Sequence, residues 1–505
     1  MTDTITVYKK NHASLKIECD DGVAAEIGEA FSFMVPNYKF SPAYKRGIWD
    51  GKIRLFNSRS RELPVGLYES LKEFADEEGR SYNLETKPNY IYGTPGETAN
   101  IDSSFFDKLV ISTKGVKIRP YDYQSTSVKD FITNKNMLLV SPTGSGKSLI
   151  IYMALRWYIK HYSKDVLIVV PTKGLVKQMI SDFADYSQFD DAFDASQECV
   201  GIMGGLDKQP KNRIIVSTWQ SIYKLDTAYF SRFGLVVGDE AHQFAAKNLT
   251  DIMSKCQEGE FRLGTTGTLG GGKTNEMQLT GLFGQKYQII TTKQLMDDDK
   301  LANLSIKLLA LKYSELERKA IARANDYQTE VDFLSQHDKR NRFIRNLALA
   351  QNGNTLVLFR YVDKHGIPLY DAISAKAAEN RKVFYVSGKT DVEPREEVRA
   401  LTEKENDAII VASLGTFSTG INIKNIHNII FAAPSKSQIK VLQSIGRGLR
   451  IADDGRGCTL YDIVDDLSWK KSENYTLKHA RERTEIYTRE KFKFKLIEID
   501  LEKAP

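Results

Sequence analysis

Apolar residues between about residues 114 and 466 fall into short runs separated by longer helical patterns. Such alternation is typical of βαβ units, in which helices cover both faces of a parallel sheet. The first runs are Met137–Val140, Val166–Val170, Ile214–Ser217, Leu235–Val237 and Phe261–Thr265. After a polar helical stretch at about 314–351 come Thr355–Phe359, Lys382–Val386, Ala408–Ala412, Asn428–Ala432 and Thr459–Ile463. The pattern therefore predicts two α/β domains in tandem.

Different patterns flank these two domains. The first 95 or so residues alternate like short strands, with a helix predicted over Leu67–Gly79, and indicate a small α+β domain. The last 40 or so residues predict a basic helix followed by a strand. The predicted organisation is an N-terminal domain (1–95), a linker (96–113), a first lobe (114–297), a second lobe (298–466) and a C-terminal helix and strand (467–505).

Composition narrows the class of protein. The chain has 505 residues, 41% hydrophobic and 27% charged, which is ordinary for a globular protein. No apolar run approaches the roughly 18 residues needed to span a bilayer, and the N-terminus lacks the apolar core of a signal peptide. We therefore expect a soluble cytoplasmic protein with no membrane partner. The four cysteines form no CxxC pair, so we expect buried or inert thiols and no structural metal.

Positive charge is concentrated near the N-terminus. The net charge is only +6, but residues 37–61 hold seven cations against the single acid Asp50. Aromatic residues interleave with these cations, which could bind phosphates while the rings stack on unpaired bases. The candidate DNA contacts are Lys39, Lys45, Arg46, Trp49, Lys52 and Arg54. The alternative is a small hydrophobic core of Trp49, Ile53 and Phe56 beneath a solvated basic face.

The C-terminal tail is also basic, from Lys470 through Arg483 to Lys495. It could contact a duplex, or it could form a solvated helix that packs on the second lobe.

Two glycine-rich segments compete for the role of phosphate-binding loop. The strict pattern G-x-x-x-x-G-K-[ST] matches Gly267–Thr274 but not SPTGSGKS, which has Ser141 at the first position. SPTGSGKS nevertheless follows an apolar strand and opens a long helix, the geometry that aims amides at an anion. We therefore assign the phosphate lysine to Lys147 and treat Lys273 as a loop cation. The alternative for SPTGSGKS is a turn that caps a helix.

The predicted loop assigns a role to each residue type. Gly144 and Gly146 would let the backbone approach the phosphates, Lys147 would neutralise the β and γ oxygens, and the Ser148 hydroxyl would hold Mg²⁺. The predicted ATP contacts in this loop are Pro142, Thr143, Gly144, Ser145, Gly146, Lys147 and Ser148.

An acidic pair follows a second apolar strand about 90 residues later. Leu235–Val237 would deliver Asp239 and Glu240 at the carboxyl edge of the sheet, where such folds place their chemistry. Asp239 would hold Mg²⁺, and Glu240 would orient or deprotonate the attacking water. The alternative is a pair of carboxylates that cap the next helix.

Taken together, these motifs resemble the superfamily 2 helicases. Asp239–His242 reads DEAH, Arg119–Gln124 resembles the adenine-reading glutamine motif, and Thr266–Thr268 stands where that family has Ser-Ala-Thr. PTKGLVKQ and STWQ resemble the strand-contacting motifs, and VASLGTFSTGIN and QSIGRGLR resemble motifs V and VI. The resemblance implies two RecA-like lobes after a small α+β domain, with hydrolysis of ATP driving movement along a strand.

The resemblance also implies roles for further residues. Gln443, Arg447 and Arg450, at i, i+4 and i+7, share one helix face, so the two arginines could act as fingers on the γ-phosphate. The other implied nucleotide contacts are Arg119, Gln124, Gly420 and Asn422, with His242 coupling the sites; the implied strand contacts are Thr172, Lys173, Thr218, Trp219 and Thr416.

The basic segment before the motor narrows the resemblance further. YKFSPAYKRGIWDGKIRLFN resembles the UvsW-like helicases of tailed bacteriophages, which remodel forks, junctions and R-loops. That implies branched and double-stranded DNA as partners, with RNA–DNA hybrids and phage recombination or single-strand-binding proteins as further candidates. It also implies a monomer in the host cytoplasm. Two alternatives remain: an RNA helicase, or a DNA-stimulated ATPase that clamps or senses DNA without unwinding it.

Overall fold

A computed structural model describes residues 3–35, 38–77, 82–87, 99–205, 210–269, 272–298, 301–387, 405–414, 425–432 and 455–503. The chain divides into two compact units. The first comprises residues 1–141 and 146–289, and the second comprises residues 142–145 and 290–505. We call the residues up to 87 the N-terminal domain, residues 99–289 the first lobe, and residues from 290 onward the second lobe.

The N-terminal domain is built on a four-stranded sheet with the order β5-β2-β1-β6. Its elements are β1 (Asp3–Lys9), β2 (Ser14–Glu18), α1 (Asp21–Ala30), β3 (Ser32–Met34), α2 (Pro42–Lys45), β4 (Lys52–Arg54), β5 (Glu62–Pro64), α3 (Tyr68–Asp76) and β6 (Tyr82–Thr86). Alternate residues of β1, Ile5 and Val7, are buried against α1 and α3, as expected for a sheet with one covered face. A separate antiparallel ribbon, β3–β4, carries the basic segment.

The first lobe contains a seven-stranded parallel sheet with the order β11-β12-β10-β13-β14-β9-β15. Its elements are α4 (Ser104–Lys108), β7 (Ile111–Thr113), β8 (Val116–Ile118), α5 (Asp122–Asn134), β9 (Asn136–Val140), α6 (Lys147–His161), β10 (Asp165–Val170), α7 (Lys173–Ser187), α8 (Ala195–Glu198), β11 (Cys199–Ile202), β12 (Ile214–Thr218), α9 (Trp219–Ile222), α10 (Thr227–Phe230), β13 (Phe233–Asp239), α11 (Lys247–Lys255), β14 (Phe261–Thr266), α12 (Gly272–Phe283) and β15 (Lys286–Tyr287). Every residue of β13 is buried, because helices cover both faces of this central strand.

The second lobe repeats this architecture with the strand order β18-β19-β17-β20-β21-β16-β22. Its elements are α13 (Thr292–Asp297), β16 (Leu304–Lys312), α14 (Glu315–Ala324), α15 (Tyr327–Gln336), α16 (Asp338–Leu349), β17 (Thr355–Phe359), α17 (Ile367–Ser374), β18 (Val383–Val386), β19 (Ile409–Ser413), β20 (Asn428–Phe431), β21 (Cys458–Asp466), α18 (Tyr475–Arg489) and β22 (Phe494–Asp500). The predicted fold class is confirmed: two tandem α/β lobes follow a small α+β domain.

Two of the predicted boundaries differ from the structure. Within the predicted linker, residues 104–113 form α4 and β7, and Phe105 and Phe106 pack against the core of the first lobe. The predicted C-terminal segment also ends in β22, which pairs in parallel with β16 and so completes the sheet of the second lobe. The polar composition of the linker conceals the apolar residues that anchor it, and the alternation of the C-terminal strand does not show which sheet it joins.

The cations of the C-terminal helix are not all exposed to solvent. Arg483 of α18 is fully buried, and its Nη2 lies 2.7 Å from Oδ1 of Asp462 on β21. A buried guanidinium needs such a carboxylate, because burial without a partner would cost several kcal/mol or more. Arg483 is therefore a structural residue of the second lobe, and the suggestion that it contacts a duplex is wrong.

The N-terminal domain packs against α12 of the first lobe. Met277 of α12 contacts the core of the N-terminal domain, and the backbone N–H of His12 donates to the carbonyl of Gln257 at 3.0 Å. At Gly66 the two backbones are so close that an added Cβ would lie 1.9 Å from the Thr280 carbonyl oxygen. This contact requires glycine at position 66.

We expect Gly66→Ala to lower the free energy of unfolding by about 1–3 kcal/mol, the usual cost of forcing an extra group into a packed contact. The measurement is urea unfolding of the whole chain. Gly22→Ala is the matched control, because an added Cβ there meets nothing within 4 Å in helix α1. Equal stability of the two variants would contradict the close contact.

Candidate nucleotide site and nucleic-acid interface

The carboxyl ends of three adjacent strands build the core of the candidate site. In the first lobe β13, β14 and β9 are neighbours, so Asp239 pairs in register with Thr265, and Thr266 pairs with Val140. The N–H of Ser141 then donates to the Thr266 carbonyl at 2.9 Å. Parallel strands thus bring the start of SPTGSGKS, the TGT segment and the acidic pair to one edge of the sheet.

The SPTGSGKS segment turns sharply between β9 and α6. Gly144 and Gly146 have φ values of +86° and +77°, which glycine adopts readily and other residues rarely do. Gly146 is the N-cap of α6, so Lys147 and Ser148 lie in the first turn of a long helix. Lys147 Nζ donates to the Ser141 carbonyl at 3.0 Å. The segment therefore has the strand-loop-helix geometry of a phosphate site.

Gln124 lies beside this loop. It is buried in the first turn of α5, and its Oε1 accepts from the N–H of Tyr121 at 2.9 Å. An added Cβ on Gly146 would lie 2.4 Å from Gln124 Nε2, so the amide touches the loop. Arg119, in contrast, is exposed. The structure thus brings Gln124, but not the Arg119 side chain, into described contact with the loop.

Burial controls the electrostatics of the acidic pair. Asp239 lies at the end of β13, where burial, together with the charge of Glu240, raises the pKa of its carboxyl above the usual value. The Lys147 ammonium and a 2.8 Å hydrogen bond from Thr265 Oγ1 act in the opposite direction. A carboxylate in this position is stabilised by a further cation.

The DEAH histidine bridges the acidic pair and the TGT segment. His242 Nδ1 lies 3.0 Å from Thr266 Oγ1 and 3.3 Å from Glu240 Oε2. Because Thr266 Oγ1 donates its own proton to the Thr268 carbonyl, we assign the proton to His242 Nδ1. Glu240 has φ +52°, a left-handed backbone conformation that is uncommon for non-glycine residues. The pair and the TGT segment form one hydrogen-bonded unit.

The competing glycine-rich segment, Gly267–Thr274, also lies between a strand and a helix. Gly281 does not break the following helix: α12 runs from Gly272 to Phe283, so Gly267–Thr274 also connects a strand to a helix. Strand-loop-helix context alone therefore does not separate the two segments. The two segments differ in the surroundings of their lysines. The Lys147 charge lowers the pKa of the buried Asp239 carboxyl, whereas Lys273 is exposed at the start of α12.

The donor set fits a divalent cation held jointly with a nucleotide. Ser148 supplies a hydroxyl and Asp239 a buried carboxylate, both oxygen ligands of the kind that Mg²⁺ prefers. Within the described part of the chain, no cluster of three or more His, Cys, Asp or Glu side chains could hold a metal ion. Two protein ligands are what a site completed by phosphates and water requires.

Comparison with known proteins decides the family. A model described as the N-terminal domain of DNA helicase UvsW matches residues 4–85, one for the res subunit of type III restriction enzymes matches 117–270, and the helicase conserved C-terminal domain matches 338–452. The chain is 35% identical to the ATP-dependent DNA helicase uvsW of Enterobacteria phage T4, over 98% of this chain and 100% of that protein. This chain belongs to the UvsW family of DNA helicases.

Two further comparisons agree with this membership. The crystal structure of T4 UvsW aligns with 99% of this chain and 100% of that one, at 32% identity and a TM-score of 0.52. A DNA 3'-5' translocase XPB2 of Sulfurisphaera tokodaii is 26% identical over 75% of this chain and 88% of that protein. The family predicted from the motifs is confirmed, and with it the class of enzyme, an ATP-dependent DNA helicase.

The UvsW-type N-terminal domain presents an open groove of about 810 Å³ in its basic segment. Four of the predicted DNA contacts line it: Lys39, Lys45, Trp49 and Arg54. The Trp49 indole N–H donates to the Lys52 carbonyl at 2.8 Å, and Arg54 forms an ion pair with Asp50. The predicted contacts Arg46 and Lys52 are exposed outside the groove lining. Cations and two aromatic rings, those of Trp49 and Tyr44, thus share a single surface.

The alternative core for this segment is only partly realised. Phe56 is fully buried in the core of the N-terminal domain, and Ile53 pairs across the ribbon with Phe33. Trp49 is half-buried but is not among the residues of that core. Phe40 is 75% exposed. Phe56 is therefore structural, and Trp49 remains a candidate DNA contact.

The strand-contacting motifs of the first lobe give a mixed result. Thr172 is the N-cap of α7 and accepts from the Leu175 N–H at 3.3 Å, with Lys173 exposed beside it. Thr218 is only 4% exposed, and its hydroxyl lies 2.8 Å from Ser221 Oγ. A phosphate contact through the Thr218 hydroxyl is therefore disfavoured, because this side chain stabilises the start of α9. The neighbouring Trp219 is half-exposed and packs edge-on to Tyr223.

Six predicted site residues of the second lobe lie outside the described residues: Thr416, Gly420, Asn422, Gln443, Arg447 and Arg450. Sequence reasoning also missed two neighbours of the site. Thr265 donates to Asp239, and the Tyr186 hydroxyl lies 2.8 Å from Ser148 Oγ. Thr265 could have been suspected from its place at the end of an apolar run, whereas no local pattern marks Tyr186. No helix in the described ranges is long and apolar enough to cross a membrane.

The state of His242 predicts a pH effect on stability. Burial lowers the pKa of His242 to about 4, against an unfolded value near 6.5. The unfolded chain therefore binds the proton more readily, and this stabilisation, full above pH 6.5, is lost as the pH falls toward 4. We expect His242→Gln to lose less thermal stability than the parent protein between pH 7.5 and pH 5. An identical loss in both proteins would show that His242 is not the titrating group.

Proposed function

We propose that this chain is an ATP-driven motor that remodels branched DNA: it regresses forks, migrates four-way junctions and unwinds R-loops. The observation that carries the proposal is the groove of Lys39, Lys45, Trp49 and Arg54 in a UvsW-type domain packed on the lobe that holds the acidic pair. Cations paired with an aromatic ring suit a partner that offers both a phosphate backbone and unpaired bases, as a branch point does.

The proposed nucleotide chemistry uses the first lobe. The backbone N–H groups of residues 143–148, which follow Pro142, and the Lys147 ammonium bind the phosphates of ATP, and Gln124 recognises the adenine with Arg119 nearby. Ser148 and Asp239 hold Mg²⁺, which when bound neutralises charge on the phosphates. Glu240 orients the attacking water and accepts its proton, and His242 relays the state of the acidic pair to Thr266 through their hydrogen bond.

The second lobe contributes residues that we propose from sequence alone. Arg447 and Arg450 supply positive charge to the γ-phosphate during hydrolysis, with Gln443 on the same helix face. Gly420 and Asn422 contact the nucleotide. Thr416 and the first-lobe residues Thr172, Lys173 and Trp219 hold the strand, since small polar groups and amides bind phosphates without reading sequence.

The proposed setting follows from the family. The motor acts as a monomer on branched and double-stranded DNA and on RNA–DNA hybrids, in the cytoplasm of a bacterial host if the chain is of phage origin. Phage recombination proteins and single-strand-binding proteins are the proposed protein partners.

The phosphate loop is tested by a pair of lysine variants. We expect Lys147→Ala to reduce DNA-stimulated ATP hydrolysis at least about 100-fold, because it removes the positive charge at the transferred phosphoryl group. Lys273→Ala, the matched control in the competing glycine-rich segment, should retain most of the activity. The reverse result would move the phosphate loop to Gly267–Thr274.

The basic segment that carries the groove is tested by charge reversal at Lys45, Arg46 and Lys52, all of them exposed. We expect weaker binding to a four-way junction and a shallower dependence of affinity on salt, by about one released counterion for each phosphate that the variant no longer neutralises. Reversal of Lys108, Lys319 and Lys376, which are exposed elsewhere, makes the same change in net charge and serves as control. Equal effects in both triple variants would mean that only net charge matters.

A further inference from the structure

Tyr186, which has no assigned role, touches the proposed metal ligand Ser148. Tyr186 lies in the last turn of α7, and its hydroxyl oxygen is 2.8 Å from Ser148 Oγ in the first turn of α6. Either oxygen could donate in this hydrogen bond. The motifs predicted roles for Ser148 but none for Tyr186, and the proposed mechanism does not use it.

The Tyr186 ring is held by aromatic packing. It lies edge-on to Tyr152, with ring centroids 5.4 Å apart and an interplanar angle of 61°. Tyr152 is fully buried on α6 and also packs against Phe183 and Phe193. Rings in such contacts have little rotational freedom, so the position of the Tyr186 hydroxyl is determined by the core.

The end of α7 that carries Tyr186 is anchored as well. Asp185 receives three hydrogen bonds from the β7–β8 hairpin: Ser112 Oγ donates to its carbonyl at 2.6 Å, Thr113 Oγ1 to its carboxylate at 3.0 Å, and the Lys114 N–H to its carboxylate at 2.9 Å. These bonds fix the last turn of the helix against the rest of the lobe. Tyr186 therefore presents its hydroxyl to Ser148 from a rigid support.

A serine hydroxyl that binds a metal ion needs a hydrogen-bond acceptor nearby. A hydroxyl that coordinates a divalent cation uses an oxygen lone pair, so its proton must point away from the metal toward an acceptor. A tyrosine hydroxyl can be that acceptor while its own proton goes elsewhere. Partners of this kind orient metal ligands, and their loss weakens metal binding although they do not touch the metal.

We propose that Tyr186 is a positioning residue for Mg²⁺: its hydroxyl oxygen accepts a hydrogen bond from the Ser148 hydroxyl and so directs a Ser148 lone pair at the ion. The inference rests on the proposed role of Ser148 as a metal ligand. In the acidic half of the site the Asp239 carboxylate accepts a hydrogen bond from Thr265 Oγ1. Each proposed metal ligand therefore has a hydrogen-bonded neighbour that orients it.

The test measures binding rather than turnover. Tyr186→Phe keeps the ring and deletes only the hydroxyl. A fluorescent ADP analogue is titrated against the full-length protein in EDTA and over a series of Mg²⁺ concentrations. We expect unchanged affinity in EDTA, and an increase of about 10-fold in the Mg²⁺ concentration that gives half of the magnesium-dependent gain in affinity.

Two controls separate the metal from the fold. Tyr152→Phe removes a hydroxyl from the same aromatic cluster, one that accepts from Arg156 Nη1 at 2.9 Å, and should leave the Mg²⁺ midpoint unchanged. Adding Tyr186→Phe to Ser148→Ala should produce no further shift, because the tyrosine acts only through the serine.

Each contrary outcome has a distinct meaning. If Ser148→Ala leaves the Mg²⁺ midpoint unchanged, the proposed metal site is wrong. If Ser148→Ala raises the midpoint and Tyr186→Phe does not, the site stands and the role of Tyr186 is overturned. Loss of affinity in EDTA by Tyr186→Phe would also overturn it, since the hydroxyl would then support the loop rather than the metal.

Discussion

The buried carboxylate of Asp239 is the constraint on which the site depends. Burial at the end of a central parallel strand penalises its negative charge, so its surroundings must supply compensation. The Lys147 ammonium and the Thr265 hydroxyl provide part of this compensation. Both lie close to Asp239 because β14 is adjacent to β13 in the sheet and β9 is adjacent to β14. Strand order thus decides which loops can meet the carboxylate. A site that still favours additional positive charge is well suited to a nucleotide bound with magnesium.

The same sheet edge connects the acidic pair to the N-terminal domain that carries the basic groove. His242 is hydrogen-bonded to Thr266, the TGT segment leads into α12, and the N-terminal domain packs against α12 through Met277 and Gly66. Thr274 of α12 also donates to the carbonyl of Met34, at the end of the ribbon strand β3. The groove and the acidic pair are therefore parts of one packed unit.

The sequence predicted what depends on local pattern. Apolar runs located the strands of both lobes, because buried parallel strands need continuous apolar residues, and the motifs located Lys147 and the acidic pair. Pairing across the fold was out of reach: Thr265 is 26 residues from Asp239, and Tyr186 is 38 residues from Ser148. Composition misjudged the linker and Arg483, whose burial depends on distant partners. The need for glycine at position 238, next to Asp239, is also visible only in three dimensions, since a Cβ there would lie 2.6 Å from the Phe283 ring.

If this UvsW-family motor uses ATP to remodel branched DNA, it must convert branched substrates into products. The most direct measurement is ATP-dependent product formation on a four-way junction, a replication fork, an R-loop and a tailed RNA duplex, with Lys147→Ala as the inactive reference. We expect products from the junction, the fork and the R-loop, none from the RNA duplex, and none with the variant. Products mainly from the RNA duplex would contradict the choice of substrate. ATP hydrolysis without strand separation on any substrate would contradict the motor itself and indicate a clamp or sensor.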